Sequence, residues 1–185
     1  GQSLKGVGFI DFLKFREGSW PELRCDFKGY RWCDYGTGED WNNKKINDFF
    51  EHEGKLYIAT DYGISVLDLA TSEFITTYFI GTSGEETQVL QTTVLGNEIY
   101  AVTRDFGIRK GTLSNPNLFD FNQWQTFDSG YWSGIVTLDN QLVATNNNAK
   151  TYRHNGAVFQ EVLNHIQPGL KLKTNGTNLI VTTLN

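Results

Sequence analysis

The sequence is poor in residues that mark several classes of protein. It has no methionine and only three prolines, which excludes proline-rich linkers. No run approaches the ~20 apolar residues that a membrane-spanning helix needs, so we expect no transmembrane segment in this chain. Because the chain begins with Gly1 and lacks an initiator methionine, we expect it to have been processed or cut from a longer chain.

Basic residues are in the minority. The chain has 16 Lys and Arg against 21 Asp and Glu, a net charge of −5, and its densest basic pair is Lys44-Lys45. A nucleic-acid surface needs clustered lysines and arginines. The composition therefore predicts that the partners do not include nucleic acid.

Cysteine is equally scarce. Cys25 and Cys33 are the only two, and an even count fits an oxidised pair in an exported protein. The alternative is two half-buried thiols. Since no histidines lie at matching spacing beside them, we expect no zinc site and no other metal centre.

What the chain does contain is a repeated segment. The segment LYIATDYGI at 56–64 is repeated as IYAVTRDFGI at 99–108, and shorter, less similar copies start at Leu142 and Leu179. The leading aliphatic residues are 43, 43 and 37 positions apart. A period near 40 with short strands, 19 glycines and 14% aromatic residues predicts an all-β fold, a β-propeller segment built of four-stranded antiparallel blades.

The repeat predicts three complete blades and two half blades. The complete blades have predicted strands at 46–50, 55–60, 64–69 and 74–79; 89–95, 98–103, 108–113 and 123–127; and 134–138, 141–145, 149–153 and 157–163. Segments 170–174 and 178–183 are predicted as strands one and two of a fourth blade. Segments 8–13 and 23–27 are predicted as strands three and four, because Gly8 to Leu13 resembles 63–68.

These strands predict one domain in two parts. Residues 1–43 form a half blade and a divergent segment that contains Trp and Cys, and residues 44–185 form three blades and the first half of a fourth. Two explanations fit the half blades. They join and close a four-bladed ring, or the chain is a slice of a larger propeller; we favour the slice, because four-bladed rings are uncommon.

The sequence contains few candidates for catalytic motifs. The tripeptide Asp105-Phe106-Gly107 spells the kinase metal-binding motif, but it aligns with the turn at 61–63 and has no companion kinase motif. The acidic pairs Glu39/Asp40 and Glu85/Glu86 could act as a glycosidase pair, yet both lie in loops where solvated charge is the simpler interpretation. We expect no catalytic residues and no cofactor.

Aromatic residues are the better functional lead. Tyr131 and Trp132 come just before the inner strand of the third blade, near the mouth of the channel, and Trp41 occupies the equivalent approach to the first blade. Tyrosine and tryptophan stack on sugars and anchor protein interfaces, so these three residues are candidates for binding. The alternative is that they fill gaps between blades.

Three stretches carry a family resemblance: KIND at 45–48, YFIG at 78–81 and NPNLFDF at 115–121. The repeat as a whole resembles the two-component-regulator type of propeller repeat. These stretches make 44–185 more similar to the N-terminal propeller of PorZ-type proteins of the type IX secretion system of Bacteroidota. Residues 1–43 match that pattern poorly.

The resemblance implies an exported, non-catalytic component of a surface attachment complex, in the periplasm or at the outer-membrane surface of a Gram-negative bacterium. It implies protein partners, such as the sortase-like PorU and the barrel protein PorV, and lipopolysaccharide or glycan as a further ligand. Two alternatives stay open. One is the glycan-sensing propeller of a hybrid two-component receptor, and the other is a propeller enzyme that degrades glycans.

Overall fold

A computed structural model describes residues 45–175 and 177–183, all within the second of two units, which begins at Lys45. The predicted strands at 8–13 and 23–27, the cysteine pair Cys25/Cys33 and the candidate Trp41 lie outside the described residues. Among the described residues, no helix is long and apolar enough to cross a membrane.

The first blade is a sheet of four antiparallel strands in chain order: β1 (Ile46–His52), β2 (Lys55–Thr60), β3 (Ile64–Asp68) and β4 (Glu73–Tyr78). Short turns join strands that are rich in β-branched and aromatic residues, which suits a pleated sheet. The prediction for this blade is confirmed within a few residues at each boundary.

The second blade repeats the order with β5 (Val89–Leu95), β6 (Glu98–Thr103), β7 (Ile108–Thr112) and β8 (Gln125–Asp128). The predicted start of β8 was two residues too early. The cause is a 3-10 turn over Phe121–Gln123, which holds that part of the chain out of the strand.

The third blade contains β9 (Gly134–Leu138), β10 (Gln141–Asn146), β11 (Lys150–His154) and β12 (Phe159–Asn164). The predicted start of β11 at Ala149 was one residue early, because Ala149 takes a positive φ of 58° in the turn before the strand.

A two-stranded sheet comes next, made of β13 (Gly169–Thr174) and β14 (Leu179–Thr183). These are the predicted first half of a fourth blade. The all-β propeller class is thus confirmed, and whether the ring is closed or part of a larger one stays a prediction.

The innermost strands β1, β5, β9 and β13 pack side by side in that order. Three of them carry an irregularity at their start, at Asn47, Leu90 and Leu170. By strand register, Asp48, Gln91, Gly134 and Lys171 occupy equivalent positions beside the axis, each opposite a residue of the second strand of its blade.

Side chains from neighbouring blades form three apolar seams. The seam between blades one and two includes Tyr57, Ala59 and Ala101, and both alanines are fully buried, as the crowded zone between converging blades requires. The seam between blades two and three is built around Tyr100, Ile135 and Leu142, and the third seam is built around Val136, Val143 and Leu172.

The repeated turn between the second and third strands has a common lock. In blade one the Thr60 hydroxyl donates to the Gly63 carbonyl at 2.9 Å, and in blade two the Thr103 hydroxyl donates to the Gly107 carbonyl at 2.9 Å. A Cβ on Gly107 would clash with the Asp128 carbonyl, and its φ is +67°. Asp105-Phe106-Gly107 is therefore the second copy of a turn, as predicted.

The blades have two ends, and each end carries its own set of loops. The upper face carries the turns at 61–63, 104–107 and 147–149 and the connections between blades at 79–88, 129–133 and 165–168. The lower face carries the remaining turns, including the long connection at 113–124.

Candidate functional site

The connection 129–133 on the upper face is held by one carboxylate. Asp128 accepts a hydrogen bond from the Gly130 amide at 2.7 Å and another from the Trp132 indole nitrogen at 2.8 Å. At its other end, the Ser133 hydroxyl donates to the Gly169 carbonyl at 2.6 Å. The loop is therefore fixed to blades two, three and four rather than free to move.

Trp132, one of the predicted binding residues, has its ring in the seam between blades two and three. It is partly buried, with its ring centroid 5.3 Å from that of Tyr152 and 4.6 Å from that of Phe159. The gap-filling alternative thus describes the packing of this residue. Its role in binding stays a prediction.

Tyr131, the neighbouring candidate, is oriented differently. Its side chain is 84% exposed. Because the loop is bonded on either side of Tyr131, its backbone is held in place on the upper face. A tyrosine displayed in this way combines apolar area with a polar tip at a low entropy cost.

The next connection, 165–168, presents an apolar residue on the same face. The His165 amide donates to the Ala149 carbonyl at 2.6 Å, and the His165 ring lies 2.7 Å from the Thr151 hydroxyl. The following residue, Ile166, is 97% exposed. Sequence reasoning missed Ile166, and its only signal was an isoleucine between two polar residues in a predicted loop.

We call residues 129–133, 146–149 and 165–168 the blade-three ridge. They read SGYWS, NNNA and HIQP, with no Asp, Glu, Lys or Arg, in a chain that is 20% charged. The ridge itself therefore holds no charged side chain, and the carboxylate that adjoins it, that of Asp128, is bonded to Gly130 and Trp132.

The upper loops of blades one and two differ, because they carry charge and bond to each other. Asp61 accepts from the Asn47 amide group at 2.8 Å and from the Gln88 amide group at 2.5 Å. Gln88 in turn accepts from the Arg104 guanidinium at 2.8 Å. These polar groups are engaged with one another across the two blades.

The axis itself is crossed by Gln91. Its amide nitrogen donates to Asp48 of blade one at 3.0 Å and to the Leu172 carbonyl of blade four at 2.6 Å. Its amide oxygen accepts from the Ile135 amide of blade three at 3.1 Å. A Cβ on Gly134 would lie 2.9 Å from that oxygen, so glycine leaves the room that Gln91 needs.

Two lysines of β13 complete this network. Lys173 donates to Asp48 at 2.7 Å, and Lys171 donates to the Asn47 carbonyl. Burial lowers the pKa of Lys171, and the nearby charges of Lys173 and Lys45 lower it further against the opposing effect of Asp48. The network ties blade four to blade one by polar contacts.

The acidic pair Glu85/Glu86 has the residue types of a glycosidase pair. Glu85 accepts from the Ser83 amide at 2.6 Å and from the Thr82 hydroxyl at 3.4 Å, and hydrogen bonds from the backbone lower its pKa. A general acid needs a raised pKa, so Glu85 has the wrong chemistry for that role and acts as a turn acceptor. Glu39/Asp40 lie outside the described residues.

Side chains that ligate metals are scattered over the part of the chain that the structure describes. Within it, no group of three or more His, Cys, Asp or Glu side chains could hold an ion.

The motif NPNLFDF has a structural explanation that its sequence did not reveal. The connection 113–124 folds as a wedge at the rim between blades one and two, where Leu118 and Trp124 are buried. Beside it, the buried Arg109 donates to the Ile80 carbonyl at 3.1 Å and to the Trp124 carbonyl at 2.8 Å. Burial lowers the pKa of this guanidinium.

A family model, that of the N-terminal β-propeller domain of PorZ of the type IX secretion system, matches residues 28–125. The match reaches into the segment before residue 44. A search of the curated proteins found no match.

Three of the many solved structures that resemble the fold illustrate the likeness. One is PorZ, described as an essential bacterial surface component of the type IX secretion system of Porphyromonas gingivalis (TM-score 0.56, 19% identity, 65% of this chain and 16% of that one). Another is the extracellular domain of a hybrid two-component system of B. thetaiotaomicron (TM-score 0.57, 18% identity, 80% and 21%). The third is BamB of Moraxella catarrhalis (TM-score 0.53, 12% identity, 74% and 40%).

At these identities the likeness establishes the propeller fold alone. The chain spans less than half the length of each of these three proteins.

Proposed function

Because this chain belongs to the family of PorZ N-terminal β-propeller domains, we propose that it is a non-catalytic binding propeller of an exported, surface-associated component of a type IX secretion attachment complex. The observation that carries the proposal is the fixed upper loop at 129–133, which presents Tyr131 at 84% exposure. Propellers offer such loops as binding platforms on a rigid scaffold.

The family also supports a proposal for the place of action. The similar protein of Porphyromonas gingivalis is described as an essential bacterial surface component of its secretion system. In support of this, we propose that the chain acts outside the inner membrane, at the outer-membrane surface or in the periplasm. Its partners would be the other proteins of the complex, with lipopolysaccharide or glycan as a further ligand.

The binding residues in this proposal are Tyr131 and Trp132, with Trp132 acting chiefly as the support beneath Tyr131. Trp41 remains a predicted member of the same site. The charged loops of blades one and two contribute less, since their polar groups are already bonded to one another.

A glycan-sensing receptor propeller is the second candidate. The likeness to the extracellular domain of a hybrid two-component system favours it, and an exposed tyrosine is also suited to stacking on a sugar ring. Under this candidate the same loop would bind saccharide and no secretion protein.

The experiment is a binding assay on the 185-residue chain. The purified chain is immobilised and exposed in turn to the PorU and PorV proteins of the same bacterium, to its lipopolysaccharide and to a panel of neutral glycans. We expect saturable binding to at least one of the two proteins. Binding to neutral glycans alone would reject the proposal in favour of the receptor.

A matched variant separates specific from unspecific adsorption. Phe119 lies in the lower-face wedge and is 62% exposed, so Phe119→Ser removes exposed aromatic area far from the upper face. The proposal expects binding to be unchanged in Phe119→Ser and weakened in Tyr131→Ser.

A further inference from the structure

The turn between β11 and β12 contains an Asn-Gly dipeptide, Asn155-Gly156, on the lower face of blade three. Both residues are exposed to solvent. The side-chain amide of such an asparagine can be attacked by the backbone nitrogen of the glycine, because glycine has no side chain to obstruct the approach. A Cβ on Gly156 would meet no atom within 4 Å, so the space around this glycine is open.

His154 provides a base beside the glycine nitrogen. The Gly156 amide donates a hydrogen bond to the Nδ1 atom of His154 at 3.2 Å. Because a backbone amide can only donate, this Nδ1 carries a free lone pair, and the neutral ring carries its proton on Nε2. An amide nitrogen attacks as its proton leaves, and a base within about 3.2 Å of the donor atom can accept that proton.

The imidazole is held in this position by aromatic packing. Its ring centroid lies 5.0 Å from that of Phe159 and 5.0 Å from that of Phe127. His154 is also the last residue of β11 and pairs with Phe159 of β12. The base is therefore fixed by the strand and by two neighbouring rings.

The group under attack is prepared by two further amides. The Oδ1 atom of Asn155 accepts hydrogen bonds from the Ala157 amide at 2.9 Å and from the Val158 amide at 2.9 Å. Negative charge develops on this oxygen when the side-chain carbonyl is attacked, and donors aimed at it stabilise that charge. The turn thus supplies a base to the nucleophile and hydrogen-bond donors to the electrophile of one dipeptide.

We propose that Asn155 is a site of self-catalysed deamidation, with His154 as the base. The Nδ1 atom of His154 takes the proton of the Gly156 amide while the Gly156 nitrogen bonds to Cγ of Asn155. The bond from Cγ to the side-chain nitrogen then breaks, and this nitrogen leaves as ammonia with the proton that the imidazolium returns. Water opens the resulting succinimide at either carbonyl, which gives aspartate or isoaspartate. No electrons are gained or lost, and water is the only co-reactant.

The reaction changes both the charge and the backbone of the turn. Either product adds one negative charge on the lower face, and isoaspartate also adds a methylene group to the main chain between β11 and β12. The inference goes beyond the proposed function and does not depend on it, since the reaction needs no partner.

The test follows the 185-residue chain during incubation at neutral pH. Peptide mass spectrometry measures the conversion of each asparagine, and chromatography separates aspartate from isoaspartate. The sequence has one other Asn-Gly dipeptide, at 175–176, which follows threonine rather than histidine. Asn175 therefore serves as an internal reference for the rate of the dipeptide alone.

We expect Asn155 to convert faster than Asn175 in the folded chain. His154→Phe, which keeps an aromatic ring but removes the acceptor, should slow the conversion of Asn155 by about tenfold and leave that of Asn175 unchanged. Phe159→Leu is the matched control, because it weakens the packing of the imidazole but keeps the base, and it should convert Asn155 nearly as fast as the parent chain. In urea the parent and His154→Phe should convert Asn155 at equal rates, because the hydrogen bond to Nδ1 needs the folded turn.

The unfolding transition of each variant is measured first, and the comparison of the folded parent with the parent in urea needs no variant. If Asn155 converts no faster than Asn175, or faster in urea than in the folded chain, the turn protects the dipeptide and the inference is wrong. If His154→Phe and Phe159→Leu slow the conversion equally, His154 acts through packing and is not the base.

Discussion

The two seams on either side of blade two each contain a tryptophan from a loop, but in different settings. Trp124 is 4% exposed and fills the rim between blades one and two, with its indole nitrogen 2.9 Å from the Leu118 carbonyl. Trp132 is only half-buried between blades two and three, directly beside the exposed Tyr131. One tryptophan is buried in the rim, and the other is a partly buried member of a seam that lies next to an exposed residue in the sequence.

The difference arises from the length and fit of the two loops. The connection at 113–124 is long enough to fold back as a wedge, and Gly111 leaves it room: a Cβ there would lie 2.6 Å from Leu118 and 3.2 Å from the Trp124 ring. The connection at 129–133 is short, so its tryptophan reaches the seam only from above. Loop length thus separates a tryptophan buried within the rim from one that is only partly buried at the upper end of a seam.

The largest expected effect is at the wedge. Trp124→Ala should lower the free energy of unfolding by about 4 kcal/mol, because it leaves a large cavity and removes the hydrogen bond to Leu118. Urea denaturation followed by far-UV circular dichroism measures the change. Phe119→Ala in the same loop is the control. If Trp124→Ala lowers the free energy of unfolding no more than Phe119→Ala does, burial of Trp124 in the wedge does not support the fold.

Arg109 tests the same seam by its polar contacts. Arg109→Met should cost about 3 kcal/mol, because the Ile80 and Trp124 carbonyls lose a buried donor. Arg109→Lys should recover part of the loss, since one ammonium cannot reach both carbonyls as the planar guanidinium does. Denaturation curves of the parent, Arg109→Lys and Arg109→Met measure their free energies of unfolding. An Arg109→Lys variant less stable than Arg109→Met would contradict the prediction.

Tyr57 makes the seam between blades one and two sensitive to alkali. Burial raises the pKa of Tyr57 to about 12, and the neighbouring Tyr78 and Glu53 add to the effect. The unfolded chain titrates this phenol near its ordinary pKa, about 10, so the folded state holds the proton longer. The contribution of the protonated phenol to the free energy of unfolding is fully present below a pH of about 10, and it is lost as the pH rises through about 12.

The matched measurement is the free energy of unfolding of the parent and of Tyr57→Phe between a pH of about 9 and a pH of about 12. We expect the difference between them to change by about 2 kcal/mol in favour of the variant. Tyr131→Phe, at an exposed ring, should show no such change. A parallel decline of all three proteins would mean that other groups cause the alkaline loss.

The fold was predictable from the sequence because the repeat determines strand order locally. The mostly apolar strand at Leu56 to Thr60 has a counterpart in each blade and the glycine turn at Gly63 recurs in blade two, so each prediction needed only short-range information. Strand starts placed one or two residues too early, such as those at Gln123, Ala149 and Ala157, lie in turns, and there turn geometry and tertiary packing decide the conformation.

The site was less predictable. The sequence indicated Tyr131 and Trp132 by residue type, but it could not separate them, because exposure depends on contacts with Tyr152 and Phe159 that lie about 20 or more residues away. Ile166 carried only a weak signal, an isoleucine between two polar residues in a predicted loop, which does not by itself indicate exposure. The structural role of Leu118 likewise emerges only once the rim of blade one is in place.

The smallest expected effect is at the second tryptophan. Trp132→Ala should lower the free energy of unfolding by only about 1–2 kcal/mol, since the ring is only partly buried and the seam keeps Tyr100, Ile135 and Leu142. It should nevertheless weaken partner binding, because Tyr131 loses the support that fixes its position. Trp132→Phe keeps the contact with Phe159 but not the hydrogen bond to Asp128, so its stability and its affinity for the partner should lie between those of the parent chain and of Trp132→Ala.

If Trp132→Ala lowers the stability as much as Trp124→Ala does, the two seams are equivalent and Trp132 is a core residue. If it is folded and binds its partner as tightly as the parent chain, the loop does not act as a support for Tyr131.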